Sequence, residues 1–210
     1  RVGEKIIDLE TVDVDVLPRD PRHVQVAKEV LQKADEFLSD RYVPNGLSGI
    51  SSNLTLRKKG CNDVVCFKSP DQLRDPIRIF ASKAKGFDLW VEAEHTRNRG
   101  GGFHKVVTPG ASSGFGNIFT AGPSETYTAS YIAFRCHSEK EADHLASYMG
   151  THFAEFLLIL RKPTYKTSGK TSRWIPLPDL TRRWTDEMLK SENPFGLSES
   201  ALDTIYTIHE

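Results

Sequence analysis

Lys162, Tyr165, Lys166, Lys170, Arg173 and Trp174 place four lysines or arginines and two aromatics on one short stretch, with Thr164, Thr167, Ser168, Thr171 and Ser172 between them. Phosphate oxygens accept hydrogen bonds from such ammonium, guanidinium and hydroxyl groups. Gly169 is expected to lend that strip backbone freedom. A second cluster, Arg97, Arg99 and Lys105, flanks Gly100, Gly101 and Gly102, where missing side chains would let a nucleic acid approach the backbone. Arg57, Lys58 and Lys59 form a smaller cluster, as do Lys83 and Lys85. Arginine can grip a guanine edge with two parallel bonds, whereas lysine acts mainly as a point charge on phosphate. The candidate DNA contacts are therefore Lys83, Lys85, Arg97, Arg99, Lys105, Lys162, Lys166, Lys170 and Arg173, with Arg97 and Arg99 as candidate base readers.

Other chemistries are less well served. Asp88, Glu92 and Glu94 lie close together, and on a strand they would share one face. That pattern allows a metal-binding pair, but no lysine stands two residues beyond either glutamate. A solvated strand face is the simpler expectation. His104 beside Lys105 is the histidine nearest a candidate cluster, and a structural role is its simpler reading. Cys61 and Cys66 are not followed by a second Cys or His pair at zinc spacing. No amphipathic helix follows the triple glycine, so a cofactor loop is not expected there. The expected site contains no catalytic, cofactor-binding or metal-binding residues.

Charge balance limits the DNA reading. The chain of 210 residues carries 28 basic and 28 acidic side chains. Whole-molecule attraction to a polyanion is therefore absent, and binding must come from a local patch. The 3 cysteines suggest no disulfide framework and fit buried thiols in a reducing, cytoplasmic compartment. No apolar run reaches the ~18 residues of a membrane span, so no membrane partner is expected. The chain opens at Arg1 in mid-pattern, as expected of a piece of a longer protein.

The elements that must hold these side chains read as α+β. Alternation from Ile6 to Leu17 predicts a strand. Asp20-Pro21 starts a helix that runs on apolar spacing to about Asp40. Pro44-Asn45-Gly46 marks a turn. Short strands are predicted within 63–68, at 77–81 and at 87–93, with a loop over 70–76. Val106-Val107 and Ile118-Phe119 suggest further short strands. β-branched and aromatic residues predict one strand over 126–134. Ser138 and Glu141 form a capping box for the clearest helix, which ends before Pro163, with Gly150 marking a kink or a close packing contact within it. An extended segment follows over 174–177, then a helix start at Thr185 and a last helix over 198–208. Residues 1–76 are read as an N-terminal strand–helix–loop portion and 77–210 as the core of the domain.

Five blocks together carry a family resemblance: SETYTASYIAF, EADHLASYMGTHFAEFLLILRKPTYKTS, WIPLPDL, WTDEMLK and FGLSESAL. In that order they resemble the C-terminal target-recognition region of fused, type IIG-like restriction-modification adenine-specific DNA methyltransferases. The resemblance spans about Ile77 to Ile208, with the first 76 residues matched loosely. It implies sequence-specific recognition of double-stranded DNA, with a catalytic methyltransferase domain of the same parent chain as partner. That domain would use S-adenosylmethionine, with magnesium if a nuclease is also fused. The family's Asn-Pro-Pro-aromatic catalytic loop is missing here; Asn193-Pro194-Phe195-Gly196 lacks the second proline. Trp174, Pro176, Leu177, Trp184 and Leu197 are expected to be core and turn residues of the module.

Two other functions remain as alternatives. One is a metal-dependent nuclease fragment using Asp88, Glu92 or Glu94. The other is a protein-interaction module of a multi-subunit restriction system, docking through the face from Phe153 to Leu160.

Overall fold

Hydroxyl and carboxylate side chains start the helices of this α+β protein, and they define its C-terminal half. The computed structural model describes residues 18, 20–43, 50, 55–56, 65–80, 88–96 and 101–207. The predicted strand over 6–17 and the turn at Pro44-Asn45-Gly46 lie outside those residues.

Asp20 accepts from the Arg22 backbone N–H at 2.8 Å and starts α1 (Pro21–Lys33), with proline at the first turn. The helix ends at Lys33, earlier than its apolar spacing suggests. Ala34 is extended, and Phe37 is bridged to Pro176 instead. Leu38 N–H donates to the Ile175 carbonyl and Leu177 N–H to the Glu36 carbonyl. These long-range bonds replace the helical ones, and Leu38–Arg41 tightens into a 3-10 turn.

Among the described residues the strands form three sheets. β1 (Tyr42–Val43), β6 (His104–Pro109), β7 (Phe119–Ala121) and β9 (Tyr131–Cys136) make a four-stranded sheet in the order β1-β9-β6-β7, antiparallel throughout. β4 (Pro76–Phe80) lies between β5 (Leu89–Glu92), antiparallel, and β8 (Thr126–Tyr127), parallel. β2 (Thr55–Leu56) and β3 (Val65–Cys66) pair in parallel, and the Phe67–Trp90 bridge links them to β5. The strands expected near 63–68, 77–81, 87–93, 106–107 and 118–119 are all present in this set. The segment 70–76 is less irregular than a loop, because Ser69 caps a 3-10 turn over Pro70–Gln72.

The single strand expected over 126–134 is two. Thr128 N–H donates to Phe80, and Tyr131 N–H turns back onto the Thr128 carbonyl. Strand propensity is high on both sides of this turn, but β8 joins one sheet and β9 the other.

The helix starting at Ser138 is also two: α2 (Glu139–Met149) and α3 (His152–Arg161). Gly150 ends the first, and Thr151 caps the second at Ala154 N–H, 3.2 Å away. Asp186 completes the break by accepting from the backbone N–H groups of His152 and Phe153 at 2.8 and 3.0 Å. Two orphan donors of a helix start are thus satisfied by a carboxylate from another element. Ser138 caps Glu141 N–H as expected, but the Glu141 carboxylate bonds His137 N–H rather than the cap residue. Thr185 then starts α4 (Asp186–Glu192), and α5 (Glu199–Thr207) closes the described chain.

Side-chain alternation on the large sheet separates two cores. Val106, Ile132, Phe134 and Cys136 face the helices, where they meet Leu145, Tyr148, Phe153 and Leu157. Val43, Val107, Ala121 and Ala133 form the other face with Tyr127. Val26 and Val30 of α1 enter the helical core with Ala201 and Ile205 of α5, so elements on both sides of residue 76 share one interior. Trp174 and Trp184 are buried, as are Pro176 and Leu197, and Leu177 packs against them, matching their expected scaffold role.

Candidate nucleic-acid interface

The strip after α3 is braced against the loop that follows β6. Ala111 and Lys166 form an antiparallel bridge. On either side of it, Ser112 N–H donates to the Tyr165 carbonyl and Thr167 N–H to the Gly110 carbonyl, both at 2.9 Å. Gly110 N–H in turn donates to Ser130 in the β8–β9 turn at 2.8 Å. The cationic strip, the 110–116 loop and that turn therefore gather at one end of the large sheet.

Lys162 acts inside this arrangement. Its ammonium donates to the Ser112 carbonyl at 2.7 Å and the Gly114 carbonyl at 3.2 Å. Partial burial lowers its pKa, partly offset by Glu155. A β-carbon on Gly114 would fall on the Glu155 carboxylate, so this loop runs directly against α3. Lys162, a candidate phosphate contact by sequence, is half-buried, and two of its ammonium donors are used by backbone carbonyls as an internal brace.

The expectation for Gly169 is corrected. A β-carbon there would meet the Tyr42 ring at 2.8 Å, so the residue serves close packing and not freedom of movement. The hydroxyls beside it are also occupied. Thr171 Oγ1 donates to the Ser168 carbonyl and accepts from Ser168 N–H, while Ser172 Oγ bonds the Ser168 and Gly169 carbonyls. Thr167, Thr171 and Ser172 are buried. The turn is held by two of the hydroxyls expected to bind phosphate, those of Thr171 and Ser172.

Lys166, Lys170 and Arg173 remain exposed at the surface, as do Thr164 and Tyr165. From residue 156 to residue 178 the chain carries Arg161, Lys162, Lys166, Lys170 and Arg173 and not one carboxylate. Exposed Glu187, Glu192, Glu199 and Asp203 lie instead on α4 and α5 or beside their ends. Balanced total charge thus coexists with a local cationic segment. Arg161 is 5% exposed and lies over the Trp174 ring, so it belongs to the scaffold.

Lys105 does not join this surface. It is fully buried on β6, with its ammonium donating to Phe103 and Gly122 carbonyls at 3.0 and 2.7 Å. Burial pulls its pKa down to about 8 against the opposing pull of Glu125. A cation satisfied in the interior cannot reach a phosphate, and the expected DNA contact is corrected accordingly. Alternation on the strand was the missed signal: Lys105 shares a face with Val107, which is core. Lys83, Lys85, Arg97 and Arg99 lie outside the described residues, as do Arg57, Lys58, Lys59 and Cys61.

The three carboxylates are separated by their partners. Asp88 pairs with Arg78 at 2.7 Å, and Arg78 also reaches Glu125 at 3.1 Å. Glu92 accepts from the backbone N–H groups of Arg74 and Asp75, which lower its pKa. Glu94 sits in the 3-10 turn Ala93–His95 and not on the strand, so the three do not share a strand face. Among the described residues no group of three or more His, Cys, Asp or Glu is placed to hold a metal ion. Gly101 and Gly102 have positive φ and lead into strand β6, not into a helix. His104 is half-buried and lines a cleft of about 300 Å³ with Gly122, Glu125 and Glu139. A larger cleft of about 530 Å³ has mixed walls, with Arg41 and Lys140 opposite Glu36, Glu141 and Asp179. Arg41 is already paired with Glu141 at 3.3 Å.

The stretch from Phe153 to Leu160 turns most of its apolar side chains inward and leaves Ile159 exposed. Phe153, Phe156, Leu157 and Leu158 are buried in the helical core of this chain. Cys66 and Cys136 are buried, and burial pushes the Cys136 thiol up to about 12. No helix among the described residues is long and apolar enough to cross a membrane. No family model matches the chain, and no curated protein matches it.

Proposed function

We propose that this chain is the sequence-specific recognition module of a fused restriction-modification DNA adenine methyltransferase, binding double-stranded DNA for a catalytic domain elsewhere in its parent chain. The observation that carries this reading is the exposed set Lys166, Lys170 and Arg173 on a segment free of carboxylates and braced by hydrogen bonds to the loop after β6. Cations on an ordered backbone hold phosphates and set register on the duplex. On this reading Arg97 and Arg99 supply base preference, and Lys83 and Lys85 add phosphate contacts. The catalytic domain would hold S-adenosylmethionine, with magnesium where the parent also cleaves, and the protein would work in the cytoplasm. The module alone would have no turnover.

Titration of a fluorescent duplex across a salt series tests this. Replacing Lys166, Lys170 and Arg173 together by alanine is expected to weaken binding and to reduce the slope of log affinity against log salt by about two to three. Replacing Lys166 and Lys170 alone should leave the melting temperature unchanged, because those side chains are exposed. Unchanged affinity at low salt overturns the reading. Replacing Arg97 or Arg99 should alter the preference among oligonucleotides.

A further inference from the structure

Tyr165 is 69% exposed, more than any other large apolar side chain among the described residues. Its backbone is not loose: its carbonyl accepts from Ser112 N–H at 2.9 Å, next to the Ala111–Lys166 bridge. Lys162 holds the other side of that connection through Ser112 and Gly114. The ring is therefore presented from an anchored segment, with exposed Thr164 and Lys166 as its neighbours in sequence. Ile159, the other large apolar side chain left exposed, lies on α3 and has no aromatic face to offer.

An exposed aromatic among cations suits one ligand chemistry well. Every nucleobase has a π-face, and stacking on an aromatic ring needs no hydrogen-bond code. In a closed duplex those faces are covered by neighbouring bases. We propose, building on the DNA reading above, that Tyr165 is a platform for a nucleobase that has left its stack, while Lys166 and Lys170 hold the flanking phosphates. The strip then recognises locally opened DNA in preference to fully paired DNA.

The test compares a matched duplex with the same duplex carrying one bulged 2-aminopurine, at fixed salt. The protein should bind the bulged duplex about fivefold to tenfold tighter and quench its fluorescence. Tyr165→Ala should bring the two affinities together and abolish the quench, while Tyr165→Phe should keep both effects. The Lys166→Ala, Lys170→Ala, Arg173→Ala variant should lose affinity for both duplexes by a similar factor and keep their ratio. Equal affinity of the unaltered protein for the two duplexes overturns the proposal, as does a preference that survives Tyr165→Ala. Either result leaves the DNA reading standing if the salt response of the triple variant is as expected. Absence of binding to either duplex at low salt sinks both.

Discussion

The Lys162 ammonium donates to the Ser112 carbonyl at 2.7 Å across a sequence separation of 50 residues. This single bond changes the meaning of the cationic strip, because its first lysine is the clasp that holds the next cations in place. Lys162→Met should keep the apolar stem and lose the charge-assisted bonds to Ser112 and Gly114. A loss of about 1–3 kcal/mol is expected, from carbonyls left without their donor. Denaturant unfolding measures it. Amide exchange should quicken at Ser112 and Thr167, whose N–H groups donate across this connection, and unchanged exchange there would remove the clasp from the account.

Lys105 makes stability depend on pH in a defined direction. The unfolded chain keeps this proton up to the ordinary lysine value of 10.5, whereas the folded chain releases it at about 8. Between those values the unfolded state binds more protons, so this group's contribution to stability rises with pH. Its unfavourable effect is largest below pH 8. The slope is at most about 1.4 kcal/mol per pH unit. Unfolding of the unaltered protein and of Lys105→Met, compared at several pH values, isolates it. The difference between the two should shift in favour of the unaltered protein from pH 8 towards 10, and a constant difference would refute the assignment.

Gly169→Ala should destabilise. The new methyl group would lie 2.8 Å from Tyr42 Cδ1 and 3.0 Å from Cγ, and that ring packs edge-on against Phe134. Overpacking of this kind costs about 1–3 kcal/mol, against about 0.4–1 kcal/mol gained from a stiffer unfolded chain. A lowered melting temperature is expected. A raised one would mean that the Tyr42 ring moves aside freely.

Asp186→Ala should loosen the start of α3 as well as α4. Its carboxylate holds the His152 and Phe153 N–H groups, so the expected loss is about 0.5–2 kcal/mol. Asp186→Asn should recover part of it, since an amide oxygen still accepts. Chemical denaturation of both variants gives the comparison. Equal losses in the two would indicate that charge, and not hydrogen bonding, carries the cap.

Local chemistry was readable wherever neighbours in sequence decide the conformation. Asp20-Pro21, Ser138 and Thr185 mark helix starts because each side chain caps a backbone N–H within its own first turn. The short strands and the buried tryptophans followed from residue type and alternation in the same way. Exposure of Lys166, Lys170 and Arg173 was also legible, because they sit among prolines, glycine and hydroxyls with no apolar period. Tertiary structure alone decided which cations are spent internally. Nothing in their sequence surroundings sets Lys105 and Lys162 apart as braces, yet Lys105 donates to the Phe103 and Gly122 carbonyls and Lys162 to those of Ser112 and Gly114. It also divided the long strand and the long helix, through Phe80 and Asp186 respectively. A buried donor must be paired, and its partner here comes from distant chain, so only the folded arrangement assigns each lysine its role.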